Sequence, residues 1–109
     1  MTPSILSIDV QELVQHMCKQ VNIELPSNPL KGYQLDKSKM GFRIFTKNDC
    51  NVEEQASNSI SEIMWKDSDG SPAFAKLYAN AQGLPFELDI WKLNYSTPQD
   101  IAGWKKKGN

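Results

Sequence analysis

A chain of 109 residues is one domain by length. A chain of that size buries roughly 65% of the surface its unfolded form exposes, enough for one core without staples. With 39% hydrophobic and 23% charged residues it is not a disordered chain, and a formal net charge of −1 provides neither a global basic field for nucleic acid nor a strongly acidic surface that would imitate it.

The first predicted element is a helix. Val10, Leu13, Val14, Met17, Cys18 and Val21 recur at the spacing of one helical face, which is the stripe of a helix lying on a core. Ser7 or Asp9 can cap it, and Asp9 with Glu12 has the spacing of a capping box. The helix must stop before Pro26, and LPSNPLKGY (25–33), with two prolines and a glycine, reads as a loop. In MGFRIFT (40–46), Met40, Phe42 and Ile44 alternate with Gly41, Arg43 and Phe45, which predicts a strand with one buried face. KNDCNVEEQASN (47–58) is poor in apolar residues and reads as a surface loop or a short helix.

From residue 59 the pattern is a run of strands. SISEIMWKD, PAFAKLYAN and FELDIWKLNY are separated by the turns DSDG (67–70) and AQGLP (81–85), whose Asp and Gly residues suit tight reversals. In the middle strand Ala73, Ala75, Leu77 and Ala79 share one face, and the small alanines leave room for the N-terminal helix. In the last strand Phe86, Leu88 and Ile90 face the core, but Trp91, Leu93 and Tyr95 then take up the apolar positions one residue out of phase. That change predicts a bulge near Ile90–Trp91, in preference to a strand covered on both faces. The tail, STPQDIAGWKKKGN (96–109), is expected to fray after Trp104, with about residue 97 as the outer bound of any looseness. The expected fold is α+β, an N-terminal helix packed on an antiparallel meander of about four strands, within a single domain 1–109.

The chemical motifs are mostly negative. DSDGSP opens like a calcium loop, but the places that need Gly and Glu hold Pro72 and Tyr78. His16 is the only histidine, and its helical neighbours Glu12 and Gln20 make it a surface contact rather than a general base. Cys18 and Cys50 lack metal spacing. No phosphate-cradling glycine loop or serine elbow is present. The expectation is a protein with no enzymatic activity, no cofactor and no metal. With neither a leader-like opening nor a long apolar run, it is also expected to be cytoplasmic, with no membrane contact.

Charge, however, is unevenly placed. Residues 31–47 hold Lys31, Lys37, Lys39, Arg43 and Lys47 against Asp36, whereas 48–70 hold Asp49, Glu53, Glu54, Glu62, Asp67 and Asp69 against Lys66. Such blocks are solvated faces or partner-facing patches. Glu87 and Asp89 lie two apart on one strand face, and Trp91 follows on the same face if the alternation holds. Phe74 or Tyr78 would then stand on the neighbouring strand. Carboxyl carbons so spaced would lie roughly 7 Å apart, a separation that glycosidases use. A solvated sheet face or a binding surface accounts for them more simply, because carboxylates around rigid aromatic anchors are a common interface composition.

SEIMWKDSDGSPAFAKLYANAQGLPFELDIWKLNYS (61–96) resembles small bacterial proteins of unknown function that end in a strand, a D-x-D-G turn, a strand, a glycine turn and FELDIWK. Those proteins carry a GGMGS-like stretch upstream. Here KSKMGFRIF (37–45) keeps Met40, Gly41 and the following aromatic. The resemblance implies an α+β plan and brings no catalytic residues with it. In size and style the chain is also similar to the immunity proteins of bacterial toxin systems, including contact-dependent growth inhibition. That likeness implies a cytoplasmic antitoxin whose partner is a cognate toxin domain, with a nuclease suited to the acidic block; direct nucleic-acid binding is not expected. Its toxin-facing residues would be drawn from Asp49, Glu53, Glu54, Asp67 and Asp69, and from Glu87, Asp89 and Trp91 on the sheet. The alternative is an interaction domain of a regulatory or structural complex, self-associating as a homo-oligomer through an edge strand.

Overall fold

The computed structural model describes residues 4–25, 30–36, 40–45, 58–80, 83–94 and 96–105. One helix packs on one face of a six-stranded antiparallel sheet, an α+β architecture with two more strands than the sequence predicted. The strands are β1 (Ser4–Ile5), β2 (Lys31–Asp36), β3 (Met40–Phe45), β4 (Asn58–Lys66), β5 (Pro72–Ala79) and β6 (Pro85–Lys92), in the spatial order β1-β2-β3-β6-β5-β4. β4, β5 and β6 form the expected meander, and β6 then docks against β3 of the β2–β3 hairpin.

Helix α1 (Ile8–Gln20) begins where Ser7 accepts a hydrogen bond from the Val10 amide at 3.3 Å. Asp9 in its first turn and Lys19 in its last complement the helix dipole. Its buried stripe, Val10, Leu13, Val14, Met17 and Cys18, enters one core with Ala73, Ala75, Leu77, Leu88, Ile90, Phe42 and Ile44. Fully burying each large aliphatic side chain is worth about 1.5–3 kcal/mol. The alanines of β5 do provide room for the helix, as their small size predicted.

The first half of β2, residues 31–33, falls inside the segment read as a loop. Its Gly32 is required by contact: a Cβ there would lie 1.8 Å from the Arg43 carbonyl oxygen of β3. A glycine that permits close strand approach looks, in sequence, like a turn glycine. Buried Gln11 fixes the approach to β2, its amide nitrogen donating to the Leu6 carbonyl at 2.8 Å and its oxygen accepting from the Leu30 amide at 3.0 Å.

The expected bulge near Ile90–Trp91 is absent. Ala75, Phe74 and Ala73 pair in unbroken succession with Ile90, Trp91 and Lys92. The irregularity lies at the other end of the strand, between Tyr78 and Ala79. The hydrophobic phase changes after Ile90 because Lys92, not an apolar residue, continues the buried face.

The tail, whose expected looseness reached back at most to about residue 97, is docked as far as Lys105. A 3₁₀ turn, Ile101–Lys105, rests on β4 and α1. Trp65 donates from its indole N–H to the Asp100 carbonyl at 2.9 Å, and Gly103 sits so close to that ring that a Cβ would lie 2.6 Å from it. His16 stacks on Trp104 with ring centroids 4.3 Å apart, and Lys105 reaches Glu12 at 2.7 Å. No helix among the described residues is long and apolar enough to cross a membrane.

Candidate functional site

The sheet's second face carries no helix or strand among the described residues, and its side chains form three cross-strand rows. Met64, Phe74 and Trp91 make the first; Glu62, Lys76, Asp89 and Gly41 the second; Tyr78, Glu87, Arg43 and Tyr33 the third. Strand alternation creates this face directly, because residues two apart point the same way. Glu87, Asp89 and Trp91 are therefore brought together with Phe74 and Tyr78 beside them, the arrangement the sequence offered only if the alternation held through Trp91 and the expected bulge was absent.

The aromatic members pack against one another. Phe74 and Trp91 stack with centroids 5.5 Å apart and planes 17° from parallel, and Tyr33 lies 5.7 Å from Phe45. The Arg43 guanidinium carbon stands 3.8 Å above the Phe86 ring centre, and the Lys76 ammonium lies 5.8 Å from the centre of Tyr78. Met64 is 57% exposed at the edge of this surface.

The two carboxyl groups at its centre stand two residues apart on the open face of β6. Asp89 lies near enough to the Glu87 carboxyl to disfavour its ionisation. Burial raises the Glu87 carboxyl above the usual carboxylate range. The adjacent Asp89 charge adds to that effect, and Arg43 opposes it. Gly41 makes the arrangement possible, because a Cβ there would come within 3.2 Å of an Asp89 carboxylate oxygen. The sequence placed Gly41 on one face of a predicted strand and within a resemblance; its place opposite Asp89 required the β3–β6 pairing.

The acidic turn does something else. Asp67 is buried and accepts hydrogen bonds from the amides of Gln99 and Asp100 at 3.0 and 2.7 Å, while its carboxylate lies 2.9 Å from the ammonium of fully buried Lys92. Asp69 meets the same ammonium at 2.5 Å and also accepts from the Ser71 hydroxyl and amide. Burial alone would raise Asp67, but Lys92 and the backbone donors outweigh it and hold its carboxyl below the usual range. Lys92 and Ser71 hold Asp69 far below that range. Burial opposes the charge on Lys92, and its two carboxylate partners prevail and raise its ammonium. Asp67 is thus withdrawn from the solvent-facing set to which the sequence assigned it. Its job is to tie the β4–β5 turn to β6 and to the C-terminal segment. The sequence signals for this arrangement were the phase change after Ile90 and the paired aspartates of the turn.

Asp49, Glu53 and Glu54 lie outside the described residues, as does Cys50. Burial pushes the Cys18 thiol up to about 11, so at neutral pH it is a protonated core group and not a nucleophile. Among the described residues no group of three His, Cys, Asp or Glu is placed to hold a metal ion.

A family model described as a domain of unknown function, DUF6984, matches residues 6–101. The chain belongs to the DUF6984 family. The match runs from just before α1 into the start of the 3₁₀ turn, so both sheet faces and the Lys92 network lie within the DUF6984 domain. No curated protein and no solved structure matches this DUF6984 chain.

Proposed function

We propose that this chain is a non-enzymatic, protein-binding domain that meets its partner through the uncovered sheet face. The observation that carries the reading is the alignment of Glu87, Asp89 and Trp91 beside Phe74, Lys76 and Tyr78 on a face that α1 leaves uncovered. Trp and Tyr supply rigid apolar area at low entropic cost, and flanking charges set register and specificity. A partner cation placed beside Glu87 and Asp89 would offset the burial and the like charge that raise the Glu87 carboxyl, and so favour its ionised form.

The partner that best fits the size of the chain, its resemblance to immunity proteins and its acidic stretch is a bacterial toxin domain, a nuclease by charge. The protein acts as its stoichiometric antitoxin in the cytoplasm. Asp49, Glu53 and Glu54, which lie outside the described residues, and Asp69 are the further acidic candidates for toxin contact.

The test is co-expression of the tagged chain with the C-terminal domain of the toxin encoded beside it. A one-to-one complex with toxicity suppressed is expected. Toxicity unchanged, with no complex recovered, would overturn the antitoxin role.

A further inference from the structure

β4 is an outer strand of the sheet, nine residues long, and among the described residues no strand lies on its far side. The amide of Asp67 donates to the Ser71 carbonyl, which fixes the phase of the hairpin. Trp65 and Ile63, two and four residues back, also direct their backbone groups toward β5. Glu62, Met64 and Lys66 therefore turn their N–H and C=O groups outward. All three side chains are exposed, and the edge between them contains no proline or bulge, the local irregularity being confined to Ser59–Ser61. Such an edge is a template for another strand.

We infer that the strand it accepts is β4 of a second copy, antiparallel about a two-fold axis through Met64. This register pairs the outward-facing positions with one another. It sets Glu62 opposite Lys66 of the other copy on both sides of the axis, and Met64 opposite its own counterpart. Centring the axis on Glu62 would instead oppose two carboxylates, so charge selects the Met64 register. Pairing also completes the open face. The row Trp91, Phe74, Met64 runs on through the axis into the same three residues of the second copy. The row Asp89, Lys76, Glu62 runs on to the second Lys66, keeping alternate sign throughout. The dimer thus presents one continuous surface of twice the width, with an apolar stripe across its centre.

A ladder this short buries less than the roughly 1,200 Å² of a standard interface, so the association is concentration-dependent. Sedimentation velocity over about 5 to 500 µM tests it, a range that spans weak dissociation constants. The wild type is expected to shift from monomer to dimer. Lys66→Glu alone sets four carboxylates about the axis and Glu62→Lys alone sets four ammonium groups there, so each should weaken association at least tenfold. Mixed in equal amounts, the two variants should form a heterodimer, because each Glu then faces a Lys. As a second readout, Met64→Cys in a Cys50→Ser background should oxidise readily to a covalent dimer, since directly opposed residues in an antiparallel pair stand within disulfide reach. A wild type that stays monomeric throughout the range would overturn the inference. So would an association indifferent to both charge changes, which would place the contact elsewhere.

Discussion

β6 carries two sets of charges on its two faces, and the structure treats them oppositely. On the helix-covered side, Leu88 and Ile90 are followed by Lys92, fully buried and held between Asp67 and Asp69. On the open side, Glu87 and Asp89 are both half-buried, with Arg43 opposing the shift of Glu87 and Lys76 directly across from Asp89. In the first set each charge is met by an opposite charge and backbone donors, and the ionised forms are favoured. In the second set burial and a like charge beside it hold Glu87 toward its neutral form. A buried network completed within the chain is architecture. A carboxyl pair flanked by aromatics on an uncovered face is better suited to meeting something outside it.

Substitutions should separate the two faces. Removing one member of the buried network has the largest expected effect. Asp67→Ala leaves Lys92 short of a partner and two amides without an acceptor, and should cost about 4 kcal/mol of unfolding free energy in denaturant titration. Depressed aspartates contribute stability that is present above about pH 4 and is lost as pH falls through their folded values. Asp67→Asn should therefore flatten the acid limb of the stability curve below that pH. Gly32→Ala should follow at about 3 kcal/mol, because the atom its new Cβ meets is backbone and cannot rotate away. On the helix side, the exposed Lys105–Glu12 pair is worth little, and Lys105→Ala should cost about 0.5 kcal/mol.

The open face should respond with the opposite sign. Because the Glu87 carboxyl is raised, its ionisation opposes folding at neutral pH. Glu87→Gln should be more stable than the wild type at pH 7, and thermal melts of the two should converge as pH falls and Glu87 takes up its proton. A Glu87→Gln variant less stable at pH 7 would mean that Arg43 already balances this carboxylate, and the contrast between the faces would be lost.

The periodic segments were legible in the sequence. α1, β3 and the β4–β5–β6 meander declare themselves through apolar spacing and turn residues, and the alanines of β5 correctly indicate where the helix lies. β2 did not declare itself, because Gly32 serves a close contact with a strand 11 residues away in sequence, and local reading sees only a turn former. The open face was only conditionally legible: two-residue alternation places Glu87, Asp89 and Trp91 together, but the change of apolar phase after Ile90 pointed to a bulge that would have turned Trp91 away, because the buried Lys92 behind that change could not be foreseen. The role of Asp67 was not legible, since a turn aspartate reads as solvated until Lys92 is brought beneath it by β6. The docking of the C-terminal segment was equally hidden, as it depends on Trp65, His16 and Glu12, residues far away in the chain.

The most direct test of the account is the affinity of the toxin domain for variants that touch one face at a time. By titration calorimetry, Trp91→Ala and Asp89→Ala should each weaken binding at least tenfold while their folded spectra are unchanged, and Lys105→Ala should bind like the wild type. Full affinity in both open-face variants, with the loss appearing instead in Lys105→Ala, would contradict the account and move the partner to the helix side of the sheet.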